Sequence, residues 1–282
     1  MPLPLAVLLP FLAQIGPSGT QMQAPLDLPR RKATASRPAP VVSRARVRRD
    51  ECYAEVKVDP AAALATANAA LSRTDAADRS AALTCKAIAL SGLERWDEAG
   101  EAFAVARDAL PASDFGGRAE MEAGAALAAE SKGAFATALD HFASAKDLGG
   151  RAGDTTLVGR IARDRANSLF KLGRKDEAAA SLAEARSDLP GDPITFLISA
   201  RAARLAGKLR EAQGYIETAS ALAPLDPDVG LEAGVIAVLG GRDEAARKSW
   251  QSVLVTAPGT EDARIAKQYL DQLGPDAAPS GR

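Results

Sequence analysis

The sequence GRKDEAAASLAEARSDLP at residues 173–190 is followed 34 residues later by GKLREAQGYIETASALAP at 207–224, and again by GRDEAARKSWQSVLVTAP at 241–258. Each stretch begins with a glycine and ends with a proline. Glycine adopts the left-handed conformation in which many helices end, whereas proline cannot continue a helix. The spacing therefore predicts a repeating unit in which one helix ends at the glycine and a second helix ends before the proline.

The side chains of these predicted second helices follow one pattern. A small residue is followed four positions later by a large apolar residue and three positions after that by another small residue, so all three lie on one helical face. Small residues let two helices approach closely, and the large residue fills the space between them. Five consecutive sets have this spacing: Ala99/Phe103/Ala106, Ala138/Phe142/Ala145, Ala178/Leu182/Ala185, Ala212/Ile216/Ala219 and Ala246/Trp250/Val253.

A 34-residue interval with two helices in each unit, together with these sets, resembles the tetratricopeptide repeat (TPR) family. The turns LERWDEA at 93–99 and GRKDEA at 173–178 are similar to the turn of that family, and the match covers about residues 80–258. The resemblance implies an all-α fold, a right-handed superhelical solenoid of antiparallel helix pairs. We expect about twelve helices: one at 60–72, about five TPR-like repeats and a closing helix at 261–273.

Three residues depart from this family pattern. Glu122 stands where a large apolar residue is usual. Gly230 and Gly234 lie in the first helix of the last unit, and since they have no side chain, we expect that unit to pack weakly.

The repeats are flanked by segments of different composition. The apolar run at 1–15 is too short to span a bilayer and is predicted to be a signal peptide, the alternative being a disordered apolar tail. Residues 16–49 are rich in Pro, Ser and Arg and are predicted to form a disordered linker. The repeat domain is expected at 50–273 and a disordered tail at 274–282. We therefore expect a periplasmic or secreted protein, with a cytoplasmic location as the alternative.

Charge is distributed unevenly along the chain. Residues 1–49 carry eight Lys and Arg residues and one Asp, whereas residues 50–282 carry 27 basic and 35 acidic residues. The acidic repeat domain argues against nucleic acid as a partner. The basic stretch at 30–49 is a candidate for contact with an anionic membrane or polymer, and a solvated tether is the alternative.

Cys52 and Cys85 are the two cysteines of the sequence. Cys85 lies in the predicted helix at 76–92, and Cys52 precedes the helix that is expected to start at Pro60. If these two helices are antiparallel neighbours, Cys52 comes within reach of Cys85. An even number of cysteines in an exported protein favours a disulfide, and free thiols or a redox pair are the alternatives.

The sequence contains no recognisable catalytic motif. His141, the single histidine, is interpreted as a partly exposed helix residue and not as a general base. The glycine-rich stretch DLGGRAGD at 147–154 lacks the strand and the spacing of a phosphate-binding loop. Two cysteines and one distant histidine cannot complete a zinc site. We therefore expect no enzyme activity, cofactor, metal or small-molecule substrate.

In the TPR family the first helices of successive repeats line a concave groove that holds a peptide or partner segment. The groove positions of the family fall here on Arg160, Arg163, Asn167, Lys171, Leu197, Arg201 and Arg204. Arg163 and Asn167 match the pair with which some members grip a terminal carboxylate, but Ile198 stands where a second Asn is expected. The resemblance thus implies a groove that accepts an acidic or mixed peptide through arginine forks, and the alternative is a solvated basic face without a ligand.

The sequence as a whole predicts a non-catalytic protein–protein interaction scaffold of the cell envelope, which binds a partner segment in this groove. The alternative function is binding to an anionic membrane or polymer surface through residues 30–49, with the repeats as a secondary module. An enzyme would need a further domain, and no stretch of about 100 residues in this sequence lies outside the repeats.

Overall fold

The structure, a computed structural model, describes residues 44–72 and 76–274. The regular secondary structure of these residues is entirely helical, as predicted. The helices are α1 (Arg44–Val58), α2 (Pro60–Leu71), α3 (Ala76–Gly92), α4 (Trp96–Ala109), α5 (Phe115–Ser131), α6 (Phe135–Ala152), α7 (Thr155–Lys171), α8 (Lys175–Asp188), α9 (Pro193–Leu205), α10 (Leu209–Leu222), α11 (Pro227–Leu239), α12 (Asp243–Thr256) and α13 (Glu261–Leu273). None of these described helices is both long and apolar enough to cross a membrane. The predicted signal peptide at 1–15, residues 16–43 of the predicted linker and the predicted tail from residue 275 onward lie outside the described residues.

The predicted antiparallel pairs are present. Five pairs run from α3 and α4 to α11 and α12, α1 and α2 form a further pair ahead of them, and α13 packs on the last pair as the closing helix. The odd-numbered helices from α1 to α11 are the first helices of the pairs, and their even-numbered partners are the second helices. The second helix of each pair also packs against the first helix of the next pair, and first helices contact one another, as α5 does α7 and α9 does α11.

Helix α1 was not predicted, so the described residues contain thirteen helices and not twelve. It begins at Arg44, inside the segment 16–49 that was predicted to be a disordered linker. Among the side chains of α1 that the structure describes, Cys52 and Val56 pack in a hydrophobic cluster with α2 and α3. The contact of these residues with α2 and α3, and not local helix propensity, holds α1 in place.

Side-chain caps start three of the helices, and residues with positive φ form the turns within the pairs. The side chains of three aspartates accept hydrogen bonds from the free N–H groups of the helices that follow, and these are Asp59, Asp192 and Asp226. Four turn glycines have φ angles between 70° and 77°, namely Gly133, Gly173, Gly207 and Gly241. Glu94 holds the equivalent position between α3 and α4 with a φ of 57°, a conformation that costs a non-glycine residue free energy.

The small and large side chains interlock as predicted. The first alanine of every set is completely buried: Ala99, Ala138, Ala178, Ala212 and Ala246. The large members are at most 6% exposed, and they are Phe103, Phe142, Leu182, Ile216 and Trp250. Each unit therefore buries its large residue between helices that approach closely over alanine.

The prediction that Gly230 and Gly234 weaken the last unit was wrong. A Cβ atom on Gly234 would overlap the indole ring of Trp250, and one on Gly230 would overlap Val253. The indole is 4% exposed, and its Nε1 donates a hydrogen bond of 3.1 Å to the carbonyl oxygen of Leu231. The missing side chains thus make room for the largest residue of the core, which compensates for the apolar surface that glycine lacks.

The predicted disulfide is formed between Cys52 on α1 and Cys85 on α3, with a Cα–Cα distance of 5.7 Å. It joins the first helices of two successive pairs. Gly92 at the end of α3 allows the same approach, because a Cβ atom there would lie 2.8 Å from the side chain of Val56. The disulfide and this close contact fix α1 against α3.

Candidate binding groove

A groove runs along the first helices at the N-terminal end of the described solenoid. Its first part has a volume of about 730 Å³ and lies among α1, α3, α5 and α7, with a contribution from α4. The apolar side chains that line it are Tyr53, Val56, Ile88, Trp96, Phe103, Leu127, Leu157 and Ile161. Because Tyr53 and Leu127 are 46% and 45% exposed, this part presents apolar surface to solvent.

The second part of the groove has a volume of about 580 Å³ and shares Leu127, Ser131 and Asp164 with the first part. Its other lining side chains are mostly polar and include Glu130, Asn167 and Lys171. The two parts are named together the N-terminal groove. It passes from an apolar end beside α1 to a polar end between α5 and α7.

Four of the seven predicted site residues line this groove. Arg160 and Arg163 border its first part, and Asn167 and Lys171 border its second part. All four belong to α7, where Arg160, Asn167 and Lys171 share one helical face because they are separated by seven and four residues. The structure thus places these four residues of α7 along the groove, together with walls provided by α1 and α3 that were not predicted.

Arg163 is already paired within the chain. Its Nε lies 2.9 Å from Asp164 Oδ1, its Nη1 lies 3.1 Å from Asp192 Oδ2, and its side chain is 17% exposed. Asp192 also caps α9. Burial raises the pKa of Asp192, but hydrogen bonds from Thr195 and the charge of Arg163 outweigh burial and hold this pKa below its usual value. Arg163 therefore joins α7 to the start of α9 and has little charge to offer a partner.

Arg201 and Arg204 are paired as well, with carboxylates of α11. Arg201 donates to Asp228 at 2.7 Å, and Arg204 donates to both oxygens of Glu232 at 2.5 and 3.2 Å. The side chain of Glu232 is 6% exposed, and these ion pairs compensate the cost of burying it. The two arginines connect the fourth pair to the fifth, and neither lines the N-terminal groove.

The prediction that Leu197 faces the groove was wrong. It is 5% exposed and belongs to the core formed by α9, α10 and α11. The more exposed apolar residues of α9 are Ile194 at 50% and Leu205 at 71%. The exposed face of α9 therefore does not include Leu197, contrary to the register that the family pattern implied.

Asn167 donates a hydrogen bond to Glu130 across the polar end of the groove. Burial raises the pKa of Glu130 to about 7, and the nearby charge of Asp164 acts in the same direction, whereas Lys171 and Ser168 oppose it. The Oε2 atom of Glu130 is buried without a hydrogen-bond partner. This carboxyl group is therefore partly protonated near neutral pH.

Glu122, which departs from the family pattern, forms a polar junction between three helices. Its carboxylate accepts a hydrogen bond of 2.5 Å from Arg107 on α4 and lies 2.7 Å from His141 Nδ1 on α6. Glu122 is almost fully buried, whereas the side chain of His141 is 33% exposed. The sequence alone does not indicate that Arg107 and His141 meet, because only the packing of α4, α5 and α6 brings both to the carboxylate of Glu122.

The described residues contain no group of three or more His, Cys, Asp or Glu side chains placed to hold a metal ion. The groove has an apolar floor and a polar end, and Arg160 and Lys171 of α7 line it. Both cations are exposed, and neither forms an ion pair or hydrogen bond with the described residues.

No protein-family model matches the chain, and no curated protein sequence matches it. Solved structures do match. PilW, a type IV pilus biogenesis factor, is 21% identical with a TM-score of 0.63, covering 79% of this chain and 98% of its own. The quorum sensor NprR from B. thuringiensis is 15% identical with a TM-score of 0.61, covering 81% of this chain and 69% of its own.

BtubC from P. vanneervenii is similar over 84% of this chain and 94% of its own, at 13% identity and a TM-score of 0.55. Identities this low concern the fold alone. These structural similarities, together with the 34-residue interval and the interlocking helix pairs, show that the described residues adopt an all-helical, TPR-like solenoid fold.

Proposed function

We propose that this protein is a non-catalytic interaction scaffold that binds a segment of a partner protein in the N-terminal groove. The observation that carries the proposal is the continuity of the groove, which joins solvent-exposed apolar side chains at α1 and α5 to a polar end at α7. A monomeric domain gains no stability from apolar side chains left in solvent, and such surface is typical of a binding site.

The groove suits a chain segment better than a small molecule. It is open along its length and is built from side chains of several successive helices, so contacts are spread along an extended path. Stacked helix pairs generally provide such extended surfaces, since every added pair lengthens the row of first helices.

Site-specific photo-crosslinking tests the proposal. A photoreactive residue at Leu127, inside the groove, is expected to give a discrete adduct with a partner in cells that produce the protein. The same residue at Val105, which is 53% exposed on α4 and lies outside the groove lining, is the matched control. Added wild-type chain should compete for the adduct, whereas a chain with Leu127→Glu should not. Equal adducts from both positions would contradict the proposal.

The cell-envelope location belongs to this proposal and is supported by the apolar run at 1–15 and by the disulfide, since disulfides persist in oxidising compartments. Cell fractionation of the full chain and of a chain that lacks residues 2–15 tests it. Export of the full chain only is expected, and cytoplasmic recovery of both would contradict it.

Binding to an anionic surface through residues 30–49 is the second candidate, supported by the eight basic residues that precede residue 50. A deletion that tests it has to stop before Arg44, where α1 begins. Removing residues 16–43, which takes away four of the eight basic residues, should weaken sedimentation with anionic phospholipid vesicles and leave groove-dependent crosslinking intact. Unchanged sedimentation would exclude this candidate.

A further inference from the structure

Two cations that line the N-terminal groove and form no ion pair within the described residues, Arg160 and Lys171, stand at opposite ends of one strip of α7. They are separated by eleven residues, which is three helical turns, so they lie on the same face roughly 16 Å apart. Arg160 borders the apolar part of the groove and Lys171 its polar part. Each is exposed and makes no ion pair with a described carboxylate.

The other charged groups between these cations are largely compensated within the chain. Asp164 is held by Arg163 at 2.9 Å, and the carboxyl group of Glu130 is partly protonated near neutral pH. Asn167 uses its amide to donate to Glu130. The charge that α7 leaves for a partner is therefore positive. Glu120 on α5 is the remaining carboxylate of the groove lining and makes a contact of its own.

We propose that the segment bound in the N-terminal groove is both apolar and acidic: bulky apolar side chains fill the part beside α1, and two carboxylates pair with Arg160 and Lys171. This inference rests on the proposed function, because it names the chemistry of the partner for the same groove. Arg160 and Lys171 bind the carboxylates of the segment. Arg163, Arg201 and Arg204 do not, because they already form ion pairs within the chain.

The distance between Arg160 and Lys171 sets the spacing of the two acidic residues in the bound segment. An extended chain advances about 3.3 Å per residue, so carboxylates roughly five residues apart would reach both cations. The apolar anchors belong beside the carboxylate that meets Arg160, because this arginine borders the part of the groove that Tyr53, Leu127 and Leu157 line. The arrangement therefore also sets the orientation of the bound segment along the groove, with its apolar residues at the Arg160 end.

A displayed library of random peptides tests the inference with the full, oxidised chain as the target. Peptides of about twelve residues are long enough, since they span roughly 40 Å when extended. Selected peptides should contain two acidic residues about five positions apart with bulky apolar residues beside one of them. Their affinity should fall about fivefold for Arg160→Glu, about fivefold for Lys171→Glu, and further for both together.

The matched controls are Arg210→Glu and Lys175→Glu, which reverse exposed charges at α10 and α8, away from the groove lining. They should leave the affinity of selected peptides unchanged. Peptides that need Leu127 but lack acidic residues, or that carry basic ones, would overturn the partner chemistry while leaving the groove as the binding site. Peptides that bind equally to the Leu127→Glu chain would instead overturn the proposed function.

Discussion

Cys52 on α1 is bonded to Cys85 on α3, and the residue that follows Cys52, Tyr53, lines the apolar end of the groove. Val56, one turn further along α1, both packs beside the disulfide and lines the same groove. The covalent link therefore holds one wall of the N-terminal groove.

Loss of the disulfide should destabilise the protein. Replacing both cysteines by serine is expected to lower the free energy of unfolding by about 3–4 kcal/mol, since the bond closes a loop of 33 residues. Urea denaturation of the wild type with and without reductant measures this, and the double variant, insensitive to reductant, is the control. Two free thiols in the purified native protein would show that the bond is absent.

Gly234→Ala should destabilise the last pair, because the added Cβ atom would overlap the buried indole of Trp250. We expect a loss of about 1–3 kcal/mol, the usual cost of overpacking a core. Gly214→Ala is the matched control: Gly214 also lies inside a helix, α10, but nothing is within 4 Å of its Cβ position. That change should stabilise by up to about 1 kcal/mol. A similar effect of both changes in thermal unfolding would refute this account.

Arg204→Ala should cost more than the loss of an exposed ion pair, because it leaves the buried carboxylate of Glu232 with only the longer contact of 3.6 Å to Arg201. A loss of about 2–4 kcal/mol is expected. Adding Glu232→Gln to this variant should recover part of it, since an amide carries no charge to bury. Arg264→Ala, which breaks an exposed pair with Glu261, should leave the stability almost unchanged.

The stability should depend on pH through Glu130. Its pKa in the folded chain, about 7, is above the ordinary value of 4.5, so the folded state holds the proton more tightly than the unfolded state. The contribution is fully present below about pH 4.5 and is lost as the pH rises through 7. Because the carboxyl group is only partly buried, we expect a loss of about 1–2 kcal/mol.

The difference between wild type and Glu130→Gln in urea denaturation, measured between about pH 5 and pH 8, isolates this contribution from that of other groups. The variant should become relatively more stable as the pH rises. The same difference at every pH would mean that Glu130 titrates as it does in the unfolded chain. The pKa of Asp192 is lowered, so its contribution to the stability is lost as the pH falls. This contribution is the same in both proteins and cancels in the difference.

The local features of the helices were predictable from the sequence because local rules decide them. Asp59, Asp192 and Asp226 cap helices through their own neighbours, and the glycines at 34-residue intervals end the first helices. The interlocking sets around Phe142 and Leu182 follow from spacing on one helical face. Each of these signals is complete within about one repeat, so no knowledge of the assembled solenoid was needed.

The sequence by itself determined the repeating helix pairs, their turns and the α7 side of the groove, because helix periodicity and capping act over a few residues. Only the tertiary structure decided that α1 forms a wall, that Leu197 is buried, and that Arg204 is neutralised by Glu232, 28 residues away. Whether a side chain is buried, paired or free depends on residues of other helices. The packing of the helices decides which of these residues come close, and the local pattern of a single helix does not contain that information.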